Sequence, residues 1–221
     1  MTALLTSHFR NTLKLAVSDG VIPATPQTPK PITEKQIPRP FFRFLPIVDK
    51  NHDQYRLVCE TIKRLGHEEA KVRGVKLTLE LLDLVQFLTN TFLRPTRSEL
   101  YSLKHEDVVV ETIGKAKTLR LNVRKGKTGA RISTTMEAAV GIYQKIKKRY
   151  PNAKPTDYLF YPQYENRAHV VRIGQNLLNH VLKVADLTVD PYTGQKHTMY
   201  SFRHTAICMR LVLSKGKINV Y

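Results

Sequence analysis

Apolar residues recur at helical spacing in six stretches of the chain and alternate with polar ones in a single region between them. Leu4, Leu5, Phe9, Leu13 and Val17 predict a first helix over residues 2–17, with Gly20 available to stop it. Residues 52–65 and 77–92 predict two more, the second through Leu77, Leu81, Leu84, Val85, Leu88 and Phe92, with Thr78 placed as its cap. Met136, Val140, Tyr143 and Ile146 mark a helix that runs to Tyr150 and is ended by Pro151, and Thr134 with Glu137 has the spacing of a capping box that would open it. A further helix follows Asn166 and buries Val170, Leu177, Leu178 and Val181. The last starts near Ser201 and passes through Ala206, Met209 and Val212 before Ser214 and Gly216.

Between Asp107 and Thr134 the pattern changes to alternation. Val108–Val110, Thr118–Arg124 and Ala130–Thr134, separated by Gly114 and by Gly126–Gly129, predict a small three-stranded antiparallel sheet with two tight turns. The fold expected is α+β and mostly helical, with helices packed around that one sheet. Seven of the twelve prolines lie between Pro23 and Pro46, a density that precludes helix and predicts an extended linker over residues 21–47. Residues 1–20 then read as the terminal helix of a preceding domain or as a docking arm, and residues 48–221 as the main domain.

Charge narrows the class of partner. The chain has 36 Lys and Arg against 18 Asp and Glu, a formal net charge of +18, far beyond what solubility needs. Residues 1–110 carry net +4 and residues 111–221 net +14, so the anion-facing surface belongs mainly to the second half. No basic helix has the aromatic face that a lipid surface would engage, which leaves nucleic acid as the expected partner. The longest uncharged apolar stretch, Leu84 to Leu93, is about half of what a bilayer requires, and residues 1–9 lack a secretory pattern. Neither Cys59 nor Cys208 has partners at metal-ligand spacing, and a reducing, intracellular compartment is expected.

Three segments hold residues able to act on a phosphate. The first is Arg94-Pro-Thr-Arg97-Ser-Glu99-Leu100, where a guanidinium at a helix end can grip an anion while a nearby carboxylate fixes its fork. Alone, it reads equally as a surface arginine at a helix end. The second is the turn Arg124-Lys125-Gly126-Lys127-Thr128-Gly129, whose lysines could enter a groove and donate a proton to a leaving oxygen, or merely be solvated. It lacks the spacing of a P-loop. The third is Tyr200-Ser-Phe-Arg203-His204-Thr205 at a helix start, where a cation and a hydrogen-bond donor can converge on one anion.

In order and wording these segments resemble the catalytic domain of the tyrosine recombinase (phage integrase) family. The likeness covers residues 48–221, and the opening helix with its Pro-rich connector resembles the end of that family's core-binding domain. The resemblance implies a DNA integrase or site-specific recombinase that cuts and rejoins duplex DNA through a phosphotyrosyl link, with no metal or other cofactor. It also implies self-association on DNA and a nucleoid-associated, cytoplasmic location.

Carried over by residue, Arg94 is similar to the first catalytic arginine and Glu99 to the acid that supports it. The spacing is two residues longer than usual, so Arg97 competes with Arg94. Lys127 is similar to the hairpin lysine that protonates the leaving oxygen, with Lys125 its rival. Arg203 matches the second arginine and His204 its neighbour, while Tyr200 stands where most members have histidine. A phenol can donate one hydrogen bond to a phosphate but is a poor base near neutral pH. The family's nucleophilic tyrosine follows on a further helix, and Tyr221 stands too close to Arg203 to match it. The nucleophile is therefore expected outside these 221 residues, with the catalytic domain incomplete at its C terminus. A type IB topoisomerase uses a similar constellation, and a non-catalytic duplex-binding module would share the charge.

Overall fold

The computed structural model describes residues 3–24, 39–127 and 129–216, in two compact units divided after Pro38. The first unit holds one helix, α1 (Ala3–Ser18), closed by Gly20 in the left-handed conformation at φ +71°. Its C-terminal carbonyls are met by Val21 N–H to Ala16 O at 2.8 Å and Gly20 N–H to Val17 O at 3.1 Å. Linker residues 25–38 lie outside the described residues.

The second unit is helical around one sheet. After a 3-10 turn come α2 (Gln54–His67), a short hairpin of β1 (Lys71–Val72) and β2 (Val75–Lys76), and α3 (Leu79–Thr91). The sheet follows as β3 (Val108–Ile113), β4 (Ala116–Gly126) and β5 (Gly129–Thr134), then α4 (Ala138–Arg149), α5 (Arg167–Val184) and α6 (Met199–Leu213). The mostly helical α+β expectation holds. The β1–β2 hairpin was not expected, because two residues per strand are too few for alternation to show.

Helix α3 is central. Leu81, Leu84, Val85, Phe87 and Leu88 are all fully buried, so apolar contact surrounds it rather than forming the one-sided stripe of a surface helix. Thr78 caps it as expected, its hydroxyl accepting Glu80 N–H at 3.3 Å. In the sheet, β4 lies between β3 and β5, with both pairings antiparallel. Leu119, Leu121 and Val123 face inward and are buried, while Asn122 points to solvent, as period-2 geometry requires.

Two expectations need correction. Thr134 does not open a capping box, because it is the last residue of β5, paired with Arg120. Helix α4 begins after Glu137, which makes no side-chain cap, and Thr135 instead spends its hydroxyl on Leu119 N–H at 3.0 Å. Arg39 to Pro46 packs as part of the second unit although its prolines suggested linker. Phe42 and Phe44 are buried there, and proline density forbids helix without forbidding burial. Phe42 lies between the rings of His197 and Phe202, at centroid distances of 4.4 and 4.6 Å, and its N–H donates to the Thr205 hydroxyl of α6 at 2.8 Å. We call this segment the strap.

Candidate phosphate-binding site

The site begins where α3 ends. Phe92 takes a left-handed conformation at φ 57°, costly for a bulky side chain, and turns the chain sharply away from the helix axis. Leu93 and Pro95 are buried, and Thr96 N–H donates back to Arg94 O at 2.7 Å. This folded loop brings Glu99 under Arg94. One Glu99 oxygen accepts Arg94 N–H at 3.0 Å, and the other accepts Arg94 Nη1 at 2.8 Å.

A second arginine reaches the same carboxylate. Arg131 of β5 donates Nη2 to Glu99 Oε2 at 2.7 Å and Nη1 to Oε1 at 3.3 Å, a two-pronged contact. The Glu99 side chain is 1% exposed, whereas Arg94 and Arg131 keep 23% and 30%, so the carboxylate is buried beneath two guanidiniums that still reach solvent. Burial alone would raise the Glu99 carboxyl, but the hydrogen bonds from Arg131 and Arg94 outweigh it and hold the group at about 2. Glu99 is thus an anion throughout the physiological range.

The third guanidinium is Arg203, in the first turns of α6. Its Nη1 is buried and has no hydrogen-bond partner among the described residues. Burial disfavours its charge, and the nearby charges of Arg94 and Arg131 disfavour it further, while Glu99 and Tyr200 act in the other direction. Two guanidiniums bind one carboxylate and a third, Arg203, lies near enough to feel all three charges, which leaves an excess of positive charge and an unmet donor at one place. Such a cluster is suited to an anion with several acceptor oxygens.

The remaining candidates are distributed around it. Tyr200 is 39% exposed on the first turn of α6 and acts electrostatically on Arg203. His204 is half-buried, and burial, followed by the charges of Arg39 and Arg203, lowers its proton affinity. Lys127 is exposed at the tip of the β4–β5 hairpin, with Thr128 outside the described residues. The base of that hairpin touches the cluster: a methyl group on Gly126 would lie 2.5 Å from Arg131 Nη1 and 3.1 Å from Glu99 Oε1. Lys125 is exposed beside it. Arg97 is exposed and contributes no bond to Glu99, so of the two competing arginines the structure joins Arg94 to the cluster. Tyr221 lies outside the described residues.

The sequence reading missed Arg131 and Arg39. Arg131 did leave a trace: it pairs with Val123, at an inward-facing register of β5 where an apolar residue is ordinary. Arg39 left none, since it sits in what read as linker. Not every arginine near this region serves the cluster. Arg124 is held by Glu106 and Asp107, the latter at 2.8 Å from Nε. Arg167 is buried and donates to the carbonyls of Tyr101, Phe160, Tyr161 and Tyr164, pinning loops together.

No helix among the described residues is long and apolar enough to cross a membrane. No protein-family model matches the chain, and no curated protein matches it significantly.

Proposed function

We propose that the chain contributes the phosphate-binding catalytic domain of a DNA breaking-and-rejoining enzyme of the tyrosine recombinase type. The observation that carries this reading is the buried, unpartnered Arg203 Nη1 set against Arg94 and Arg131 over a single carboxylate. A phosphodiester resists attack because charge accumulates on its nonbridging oxygens in the transition state, and fixed guanidiniums are the side chains best suited to meet it. Arg94 and Arg203 bind those oxygens, and Glu99 fixes the fork of Arg94. His204 and Tyr200 donate hydrogen bonds at the rim. Arginine cannot supply the proton that the leaving oxygen needs, so that task falls to Lys127, with Lys125 next to it. The nucleophile is a tyrosine that forms the phosphotyrosyl bond as the leaving oxygen departs. The partner is duplex DNA, which the +18 net charge of the chain favours.

The test is an anisotropy titration of a mixed-sequence duplex. Wild-type affinity is expected to fall by roughly 10³ or more between 50 and 200 mM salt, as several phosphate contacts require. Arg203→Ala is expected to retain most of that binding, because one contact of many is removed. A nearly flat salt dependence would contradict the assignment of a nucleic-acid backbone as the anion.

A further inference from the structure

Cross-strand pairing leaves the lysine-bearing hairpin weakly tied to the core. The β4–β5 ladder runs regularly from Arg120 opposite Thr134 to Val123 opposite Arg131, shifts register there, and resumes at Gly126 opposite Gly129. Bulges of this kind re-aim a strand and interrupt its pairing. Arg124, within the interruption, is drawn off toward Glu106 and Asp107. What still links the hairpin base to the phosphate-binding loop is a stack of three groups: Gly126, the Arg131 guanidinium over it, and the Glu99 carboxylate beyond. Space at Gly126 is so tight that even a methyl group would meet Arg131 Nη1 at 2.5 Å and Gly129 O at 2.9 Å.

We propose that Arg131 is a positioning residue whose bidentate contact with Glu99 holds the Lys127 hairpin in register with the Arg94–Arg203 phosphate site. This rests on the functional reading above and deepens it. Glu99 also accepts the Arg94 N–H and Nη1 bonds, neither of which runs through Arg131, so the phosphate-gripping half of the site is expected to persist without Arg131. Among the described residues the hairpin has no second tie to the phosphate-binding loop, since Arg124 ties its β4 side to Glu106 and Asp107 instead. Losing Arg131 therefore uncouples the proton donor from the anion site rather than dismantling the anion site, and the fork geometry matters more than the charge, since an ammonium makes no parallel pair of bonds.

The experiment uses backbone amide relaxation and arginine Nε–H resonances of the full 221-residue chain, with and without a mixed-sequence DNA duplex. In wild type, the Lys127 amide is expected to have an order parameter near 0.85, and both Lys127 and Arg203 respond to duplex. In Arg131→Ala, the Lys127 order parameter is expected to fall below about 0.6 and its duplex response to vanish, while the Arg203 Nε–H still shifts with affinity within about threefold. Arg131→Lys, which restores charge without the fork, is expected to leave Lys127 disordered. Should Arg131→Ala fail to fold, Arg131→Gln, which keeps a polar side chain without the paired bonds, is expected to loosen Lys127 alike. Unchanged Lys127 order and response in Arg131→Ala, or full rescue by Arg131→Lys, would overturn the proposal. A wild-type chain in which neither Lys127 nor Arg203 responds to duplex would instead defeat the functional reading, while the order-parameter comparison without DNA would still decide the role of Arg131.

Discussion

Arg131 and Glu99, 32 residues apart in sequence, meet through two bonds to a carboxylate that already holds Arg94. The relationship explains how a negative charge can be almost fully buried in so basic a chain. It also fixes its pH behaviour. The Glu99 carboxyl is depressed from 4.5 to about 2 in the folded protein, so its stabilising effect is complete above about pH 4.5 and is lost as the pH falls toward 2. A shift of that size corresponds to about 3 kcal/mol. Urea unfolding of the wild type should lose stability across that window, and Glu99→Gln should be destabilised by about 3 kcal/mol at pH 7, with a flatter acid limb. An acid limb as steep in Glu99→Gln as in wild type would contradict the assignment.

Arg167, which is buried, and Arg203, which is half-buried, should respond differently to mutation. Arg167 satisfies four backbone carbonyls, so Arg167→Met strands them and should cost more than about 3 kcal/mol. Arg203 has an unmet Nη1 and two cations nearby, so Arg203→Met should leave stability unchanged or raise it by up to about 1 kcal/mol. Thermal and denaturant midpoints of the two variants check this. A large loss of stability in Arg203→Met would mean that Arg203 is structural.

The His204 pKa should be shifted downward from its ordinary value, first by burial and then by the charges of Arg39 and Arg203. Removing the strap charge with Arg39→Gln is expected to raise the His204 pKa without altering the fold, because Arg39 is exposed. Imidazole proton shifts followed against pH provide the readout, and a His204 titration indifferent to Arg39→Gln would remove the strap from the site's electrostatics.

Gly126→Ala should destabilise the protein by about 2 kcal/mol, since the new methyl group meets a backbone carbonyl at 2.9 Å as well as the movable Arg131 tip. Amide exchange should quicken in the β4–β5 hairpin and not in α5. Unchanged stability would show that the hairpin can shift away from Glu99 at little cost.

What the sequence revealed depended on the range of the interactions. The helices and the three strands were legible because burial of Leu81, Leu84 and Leu88, or of Leu119, Leu121 and Val123, imposes a local period. The candidacy of Arg94, Glu99, Arg203 and His204 was legible through short motifs. Arg131 was not singled out, because its partner lies 32 residues away and only strand register brings them together. The strap was missed for a related reason: Phe42 is buried by His197 and Phe202, which no pattern within residues 39–46 can announce. The failed capping box at Thr134 shows the converse, a correct local motif overridden by pairing with Arg120.

Covalent trapping on a nicked duplex tests the central proposal most directly, because the nick lets the leaving strand diffuse away and any phosphotyrosyl adduct accumulate. The measurement uses the complete product of the reading frame that encodes the chain, with and without Arg94→Ala and Arg203→Ala. The expected result is duplex binding by all three forms and a denaturant-stable protein–DNA band from the unsubstituted protein that either arginine substitution abolishes. No adduct from the unsubstituted protein on any duplex would contradict the enzymatic reading and leave a DNA-binding module.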